Sequence, residues 1–102
     1  MGCAQQKLHM QGETSFYVEY NSYLGYIAKI SGGLKNISGE DLSYAAVEFI
    51  IYDGRGNALG IAKDSRKIIL DKGTWAFSAT AVCGKEKPEK YTFYKITAKE
   101  NK

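Results

Sequence analysis

Reactive side chains are sparse in this chain: one imidazole, His9, two thiols, Cys3 and Cys83, and one adjacent acid pair, Glu40-Asp41, in a Ser-Gly turn. A structural zinc site needs four ligands at short paired spacings, and two cysteines eighty positions apart with a single histidine do not provide them. Nucleophilic catalysis needs a base held about 3 Å from its nucleophile. His9, in a polar N-terminal stretch, is poorly placed for that. The run Gly54-Arg-Gly-Asn-Ala-Leu-Gly60 superficially matches a dinucleotide fingerprint, but its third glycine falls one place late and no helix pattern follows. Asp53 to Asn57 lacks the alternating ligands and terminal Glu of a calcium loop. The expectation is a non-enzyme with no catalytic residue, no metal and no cofactor.

The elements that would have to carry any site are strands. Tyr44-Ala-Ala-Val-Glu-Phe-Ile-Ile-Tyr-Asp53 is β-branched and aromatic, with Val47, Phe49 and Ile51 on one face and Glu48 on the other, and it stops at a Gly-rich turn. Trp75, Phe77, Ala79, Ala81 and Cys83 alternate with Thr74, Ser78 and Thr80, the signature of a half-buried strand. Shorter extended segments are expected at 16–20, at 23–37 with a bulge or bend at Gly32-Gly33, at 58–62, at 68–70 and at 91–98, with 63–67 as a charged connection. Eleven Gly, one Pro, eight Tyr, four Phe and one Trp in 102 residues fit a turn-rich β protein of one domain. About seven strands with turns every 8 to 12 residues predict an all-β, immunoglobulin-like antiparallel sandwich. Residues 1–14 read as a flexible arm, 15–98 as the domain and 99–102 as a charged tail.

Phe49-Ile-Ile-Tyr52-Asp53, taken with Gly33 to Ser38 before it and Leu70 to Phe77 after it, resembles the FxLYD domain family, a bacterial extracytoplasmic module. Phe49-Ile-Ile-Tyr52-Asp53 stands where its central motif is expected, with Ile51 in place of Leu. Gly33-Leu-Lys-Asn-Ile-Ser38, Asp53-Gly-Arg-Gly-Asn-Ala-Leu-Gly60 and Leu70-Asp-Lys-Gly73-Thr-Trp75-Ala-Phe77 resemble its flanks. The resemblance implies an immunoglobulin-like sandwich outside the cytoplasmic membrane, often in lipoproteins, with these residues serving architecture. Phe49 and Ile51 would then pack against Trp75 and Phe77, at roughly 1.5–3 kcal/mol each, and Asp53 would open the turn by accepting backbone N–H groups.

Gly2-Cys3 resembles the end of a lipoprotein signal, with Cys3 the lipidated residue and Met1 replacing a removed leader. Lys7-Leu-His-Met10 equally has the look of a cloning junction. Myristoylation of Gly2 would want Ser or Thr where the chain has Gln6. Cys83 is expected as a small buried thiol, and a Cys3–Cys83 disulfide is an alternative that competes with lipidation. Partners are expected to be a protein or cell-wall glycan, with the membrane reached through the lipid anchor. Tyr17, Tyr44, Tyr52, Tyr91 and Tyr94, with Tyr23 and Tyr26, are candidates for an aromatic binding surface. The alternative function is therefore a soluble carbohydrate-binding module using a Tyr-rich sheet face.

A formal net charge of +3, from 14 Lys plus Arg against 11 Asp plus Glu, is too small to argue for nucleic acid. Lys85, Lys87, Lys90, Lys95, Lys99 and Lys102, near Tyr91, Phe93 and Tyr94, bias the C-terminal part toward positive charge. Glu86, Glu89 and Glu100 interleave with them and dilute it. Asn36-Ile-Ser38 is a glycosylation sequon by pattern alone.

Overall fold

The structure, a computed structural model, describes residues 7–100. Within them the chain is all-β: β1 (Leu8–Asn21), β2 (Gly25–Asn36), β3 (Leu42–Tyr52), β4 (Ala58–Ile69), β5 (Thr74–Gly84) and β6 (Lys90–Glu100). All pairings are antiparallel, in the order β1-β2-β5-β4-β3-β6. The sheet curls so that β1-β2-β5 and β4-β3-β6 present their inner faces to one core. Phe49 of β3 stacks on Phe77 of β5 with ring centroids 5.7 Å apart, and Trp75 meets Phe77 edge-on at 6.0 Å. Ile30, Leu34, Leu42, Val47 and Ile51 belong to the same buried cluster.

The junction between the halves explains why six strands form where about seven are expected. Residues 63–67 are not a connection but the middle of β4. Lys63, Ser65 and Lys67 face solvent, so no apolar pattern marks them as strand. Ladder pairing between β4 and β5 is confined to Lys63 opposite Thr80. Beside it the Asp64 carboxylate accepts the backbone N–H of Ser78 at 2.8 Å and that of Ser65 at 2.8 Å. A side chain thus replaces ladder bonds where the sheet turns its corner.

The N-terminal boundary also differs from expectation. Residues 8–14 are not an arm: Leu8 pairs with Asn36 and Met10 with Leu34, and Leu8 is 3% exposed. A register shift between Gln11 and Ser15, with Gly12 at φ +69°, breaks the alternation that would have revealed the strand. At the other end Lys99 and Glu100 belong to β6 rather than to a tail. Gly32-Gly33 does not interrupt β2. Gly32 lies opposite Phe77, and a Cβ there would come within 2.8 Å of that ring, so the missing side chain makes room for the core.

Ile68 holds φ at +62° although it is β-branched and 62% exposed. That backbone conformation costs an L-residue about 1–2 kcal/mol. Little burial is lost by removing the side chain. Ile68→Gly is accordingly expected to raise the unfolding free energy by about 0.5–1 kcal/mol, read from urea midpoints at unchanged slope.

Candidate functional site

The residues of the central motif are spent on cohesion. Phe49, Ile51, Trp75 and Phe77 are all buried in the core. Tyr52 lies at the rim with its hydroxyl accepting from Thr92 Oγ1 at 3.2 Å. Gly73 closes the β4–β5 turn, donating its N–H to the carbonyl of Leu70 at 2.8 Å. A Cβ on Gly73 would press on that carbonyl oxygen at 2.9 Å.

Asp53 organises the β3–β4 turn through three contacts. Its Oδ1 accepts the N–H groups of Arg55 and Asn57, each at 2.9 Å, and its Oδ2 accepts Asn57 Nδ2 at 3.0 Å. Gly56 at φ +90° lets the chain reverse beneath it. The Asn57 side-chain and backbone donors, with smaller help from Arg55, hold the carboxyl below its ordinary value despite slight opposition from desolvation. A carboxylate whose folded-state pKa is lowered stabilises the fold fully above the unfolded value, and this contribution is lost as pH falls through the lowered one. Protonation is thus expected to loosen the turn only in acid, below the usual carboxylate range. Asp53→Ala should speed amide exchange at Arg55 and Asn57 at neutral pH; unchanged exchange would contradict the role assigned to the carboxylate.

Cys83 follows the inward alternation of β5 but is only half-buried at the strand end. Burial pushes its thiol up, partly offset by a backbone hydrogen bond from Ala28. Thiolate is the reactive form, so alkylation at pH 8 is expected to run more slowly in the folded protein than in urea. Cys3, the lipidation candidate, lies outside the described residues. Among those residues no three His, Cys, Asp or Glu side chains come together as a metal group.

The five tyrosines proposed as a surface do not share one. Tyr91 points inward, its ring 5.0 Å from Phe16 and 5.8 Å from Phe49, and its hydroxyl is hydrogen-bonded to Thr14. Tyr17 is 56% exposed but sits on β1, in the other three-stranded half of the curled sheet. Tyr44, Tyr52 and Tyr94 do lie on the outer side of the β4-β3-β6 half. Tyr94 borders a shallow dent with Ile50, Leu59 and Ile61. The change of side between Tyr91 and Tyr94 has a local cause. Glu48 pairs with Lys95 and Phe49 with Phe93, so Tyr94 is the extra residue of a bulge.

A second aromatic group, at the β1–β2 hairpin, carries more exposed surface. Tyr23 is 95% exposed, Tyr20 68% and Leu24 51%, and Tyr20 meets Tyr26 edge-on at 5.1 Å. Asn21 Oδ1 fixes the turn by accepting the N–H of Tyr23 at 2.7 Å and of Leu24 at 3.1 Å. Gly25 at φ +83° lets β5 approach: a Cβ there would collide with the Gly84 carbonyl oxygen. Tyr20 and Leu24 were not singled out by sequence reasoning. The available signal was a turn-forming Asn21-Ser22 flanked by three apolar-bodied residues.

No helix among the described residues is long and apolar enough to cross a membrane. No family model matches the chain, and neither a curated protein nor a solved structure matches it.

Proposed function

We propose that this chain is a non-enzymatic binding module of the bacterial cell envelope, lipid-anchored through Cys3, that presents its β1–β2 tip to a protein or glycan partner. In this reading the curled sheet is an abbreviated immunoglobulin-like sandwich of the FxLYD type, its two three-stranded halves acting as the two layers. The observation that carries the proposal is the placement of exposed aromatics relative to the chain entry. Lys7 enters beside Ile37, whose N–H donates to the Lys7 carbonyl at 2.9 Å, and β1 then runs to Asn21 at the far end. The molecule is 43 Å in its long dimension, and fourteen extended residues at about 3.3 Å each span that length. An anchor a few residues before Lys7 would leave Tyr20, Tyr23 and Leu24 facing away from the bilayer. One acyl chain binds weakly, so stable attachment calls for diacyl or triacyl modification of Cys3.

Mass spectrometry of the full-length protein from its native host tests the anchor, with a diacylglyceryl adduct on Cys3 expected and an unmodified cysteine refuting it. The tip is tested on a glycan array and by direct partner binding. Tyr23→Ala, at a side chain 95% exposed, should remove binding while leaving the melting curve intact.

The second reading, a soluble carbohydrate-binding module, is favoured by the dent beside Tyr94. It predicts that Tyr94→Ala, and not the tip substitution, abolishes glycan binding.

A further inference from the structure

Strand pairing collects positive charge that the sequence disperses. In the register of β3 with its two neighbours, Glu48 lies between Lys63 of β4 and Lys95 of β6, and Tyr44 lies between Lys67 and Lys99. Lys90 stands opposite Tyr52 on the same outer side. All five lysines are exposed. The acids that interleave with them in sequence lie outside the Glu48 and Tyr44 rows, with Glu89 at the Lys90 end, where its N–H donates to the Tyr52 carbonyl. Glu100 turns to Lys7, with Oε2 3.6 Å from its Nζ. Glu86 and Glu89 belong to the loop before β6, where the Glu89 carboxylate lies against Gly54. Glu48 remains as the carboxylate within the strip; its side chain is 14% exposed and its Oε2 is 3.8 Å from Lys95 Nζ.

The strip is long and narrow. Two strand spacings make it about 10 Å wide, and the run from Lys90 to Lys99 makes it about 30 Å long. Such a shape matches an extended chain of charges better than a plane of them. The outer side of the curled sheet is also convex, and the rings nearest the cations are capped by them. Lys99 Nζ stands 5.9 Å from the Tyr44 ring centre and Lys95 Nζ 5.7 Å from that of Tyr94. Capped rings on a convex face offer poor platforms for stacking bases. Phosphate groups need only the ammonium donors, and hydroxyls of Ser65 and Thr97, in the row between the lysine pairs, add further donors.

We infer that the outer face of β4-β3-β6 binds a linear phosphate polymer without stacking bases, the Lys63, Lys67, Lys95 and Lys99 ammonium groups contacting phosphates spaced along its length. This inference rests on charge placement and is independent of the anchor and of the tip.

The test uses the folded chain and inorganic polyphosphate of defined length, titrated at several salt concentrations. The triple variant K63Q/K95Q/K99Q is expected to raise Kd at least about tenfold and to flatten the slope of log K against log salt by about 2, roughly 0.7 per lost contact. A control, K35Q/K85Q/K87Q, removes the same charge from other surfaces and should leave Kd within about twofold if location rather than net charge governs binding. Circular dichroism melts of both variants separate folding from binding. Absence of binding at low salt, or equal losses in both variants, would overturn the inference. So would an oligothymidylate of equal phosphate count, or phosphatidylglycerol vesicles, bound more tightly than polyphosphate, since either would assign the face to another class of partner.

Discussion

Replacing Asn36 with alanine is expected to lower the unfolding free energy by about 2–4 kcal/mol, the cost of leaving several inward-facing backbone groups without partners. Asn36 is fully buried. Its Nδ2 donates to the carbonyls of Glu40 at 2.7 Å, Ile69 at 3.0 Å and Leu70 at 3.1 Å, while its Oδ1 accepts Ser38 N–H at 3.0 Å and Ser38 Oγ–H at 2.7 Å. Its backbone adds a bond from its own N–H to the Gly73 carbonyl and another from the Lys72 N–H to its carbonyl. One side chain therefore ties the β2–β3 loop to the end of β4. Asp at this position is no rescue, because a carboxylate would turn an acceptor toward three carbonyl oxygens. Asn36→Asp should be at least as destabilising as alanine, whereas Ser38→Ala should cost about 1 kcal/mol. Urea unfolding of the three variants checks the order; Asp matching wild type would remove Asn36 from this role. The same burial excludes the side chain as a glycosylation acceptor in the folded state.

Phe49→Ala is expected to cost about 3–5 kcal/mol, the range for emptying an aromatic position in a packed core. The ring is 1% exposed and lies between Phe77, Tyr91 and Phe93, with centroids at 5.7, 5.8 and 6.1 Å. Total stabilities of small domains are about 5–15 kcal/mol, so this variant approaches the limit of folding at 37 °C. Phe49→Leu keeps most of the volume and should lose much less. A double-mutant cycle with Phe77→Leu is expected to show about 0.5–1.5 kcal/mol of coupling, because their stacking joins the two halves of the sheet. Coupling indistinguishable from zero would mean that the halves are held by other contacts.

The inward-facing residues were readable in advance wherever one face of a strand meets the core and the other meets water. Val47, Phe49 and Ile51 in β3, and Trp75, Phe77, Ala79 and Ala81 in β5, alternate as expected and are buried. Strand signals failed where that contrast is absent. Leu8 begins a strand whose Gly12 bulge scrambles the period, and the β4 stretch around Ser65 and Arg66 carries no apolar residue to report its inward side. Residue type alone makes Tyr91 and Tyr94 candidates for one aromatic surface, and a single extra residue in β6 separates them by a face.

Composition and period-two patterning were enough to establish an all-β chain and most of its interior, because alternation is a local property of each strand. The order β1-β2-β5-β4-β3-β6, the five partners of the Asn36 side chain, the separation of Glu100 from Lys99 and the convergence of Lys63 with Lys95 came only from the folded chain. Each depends on pairing between segments far apart in sequence, and register between such segments is set by cooperative packing rather than by any residue's own preference.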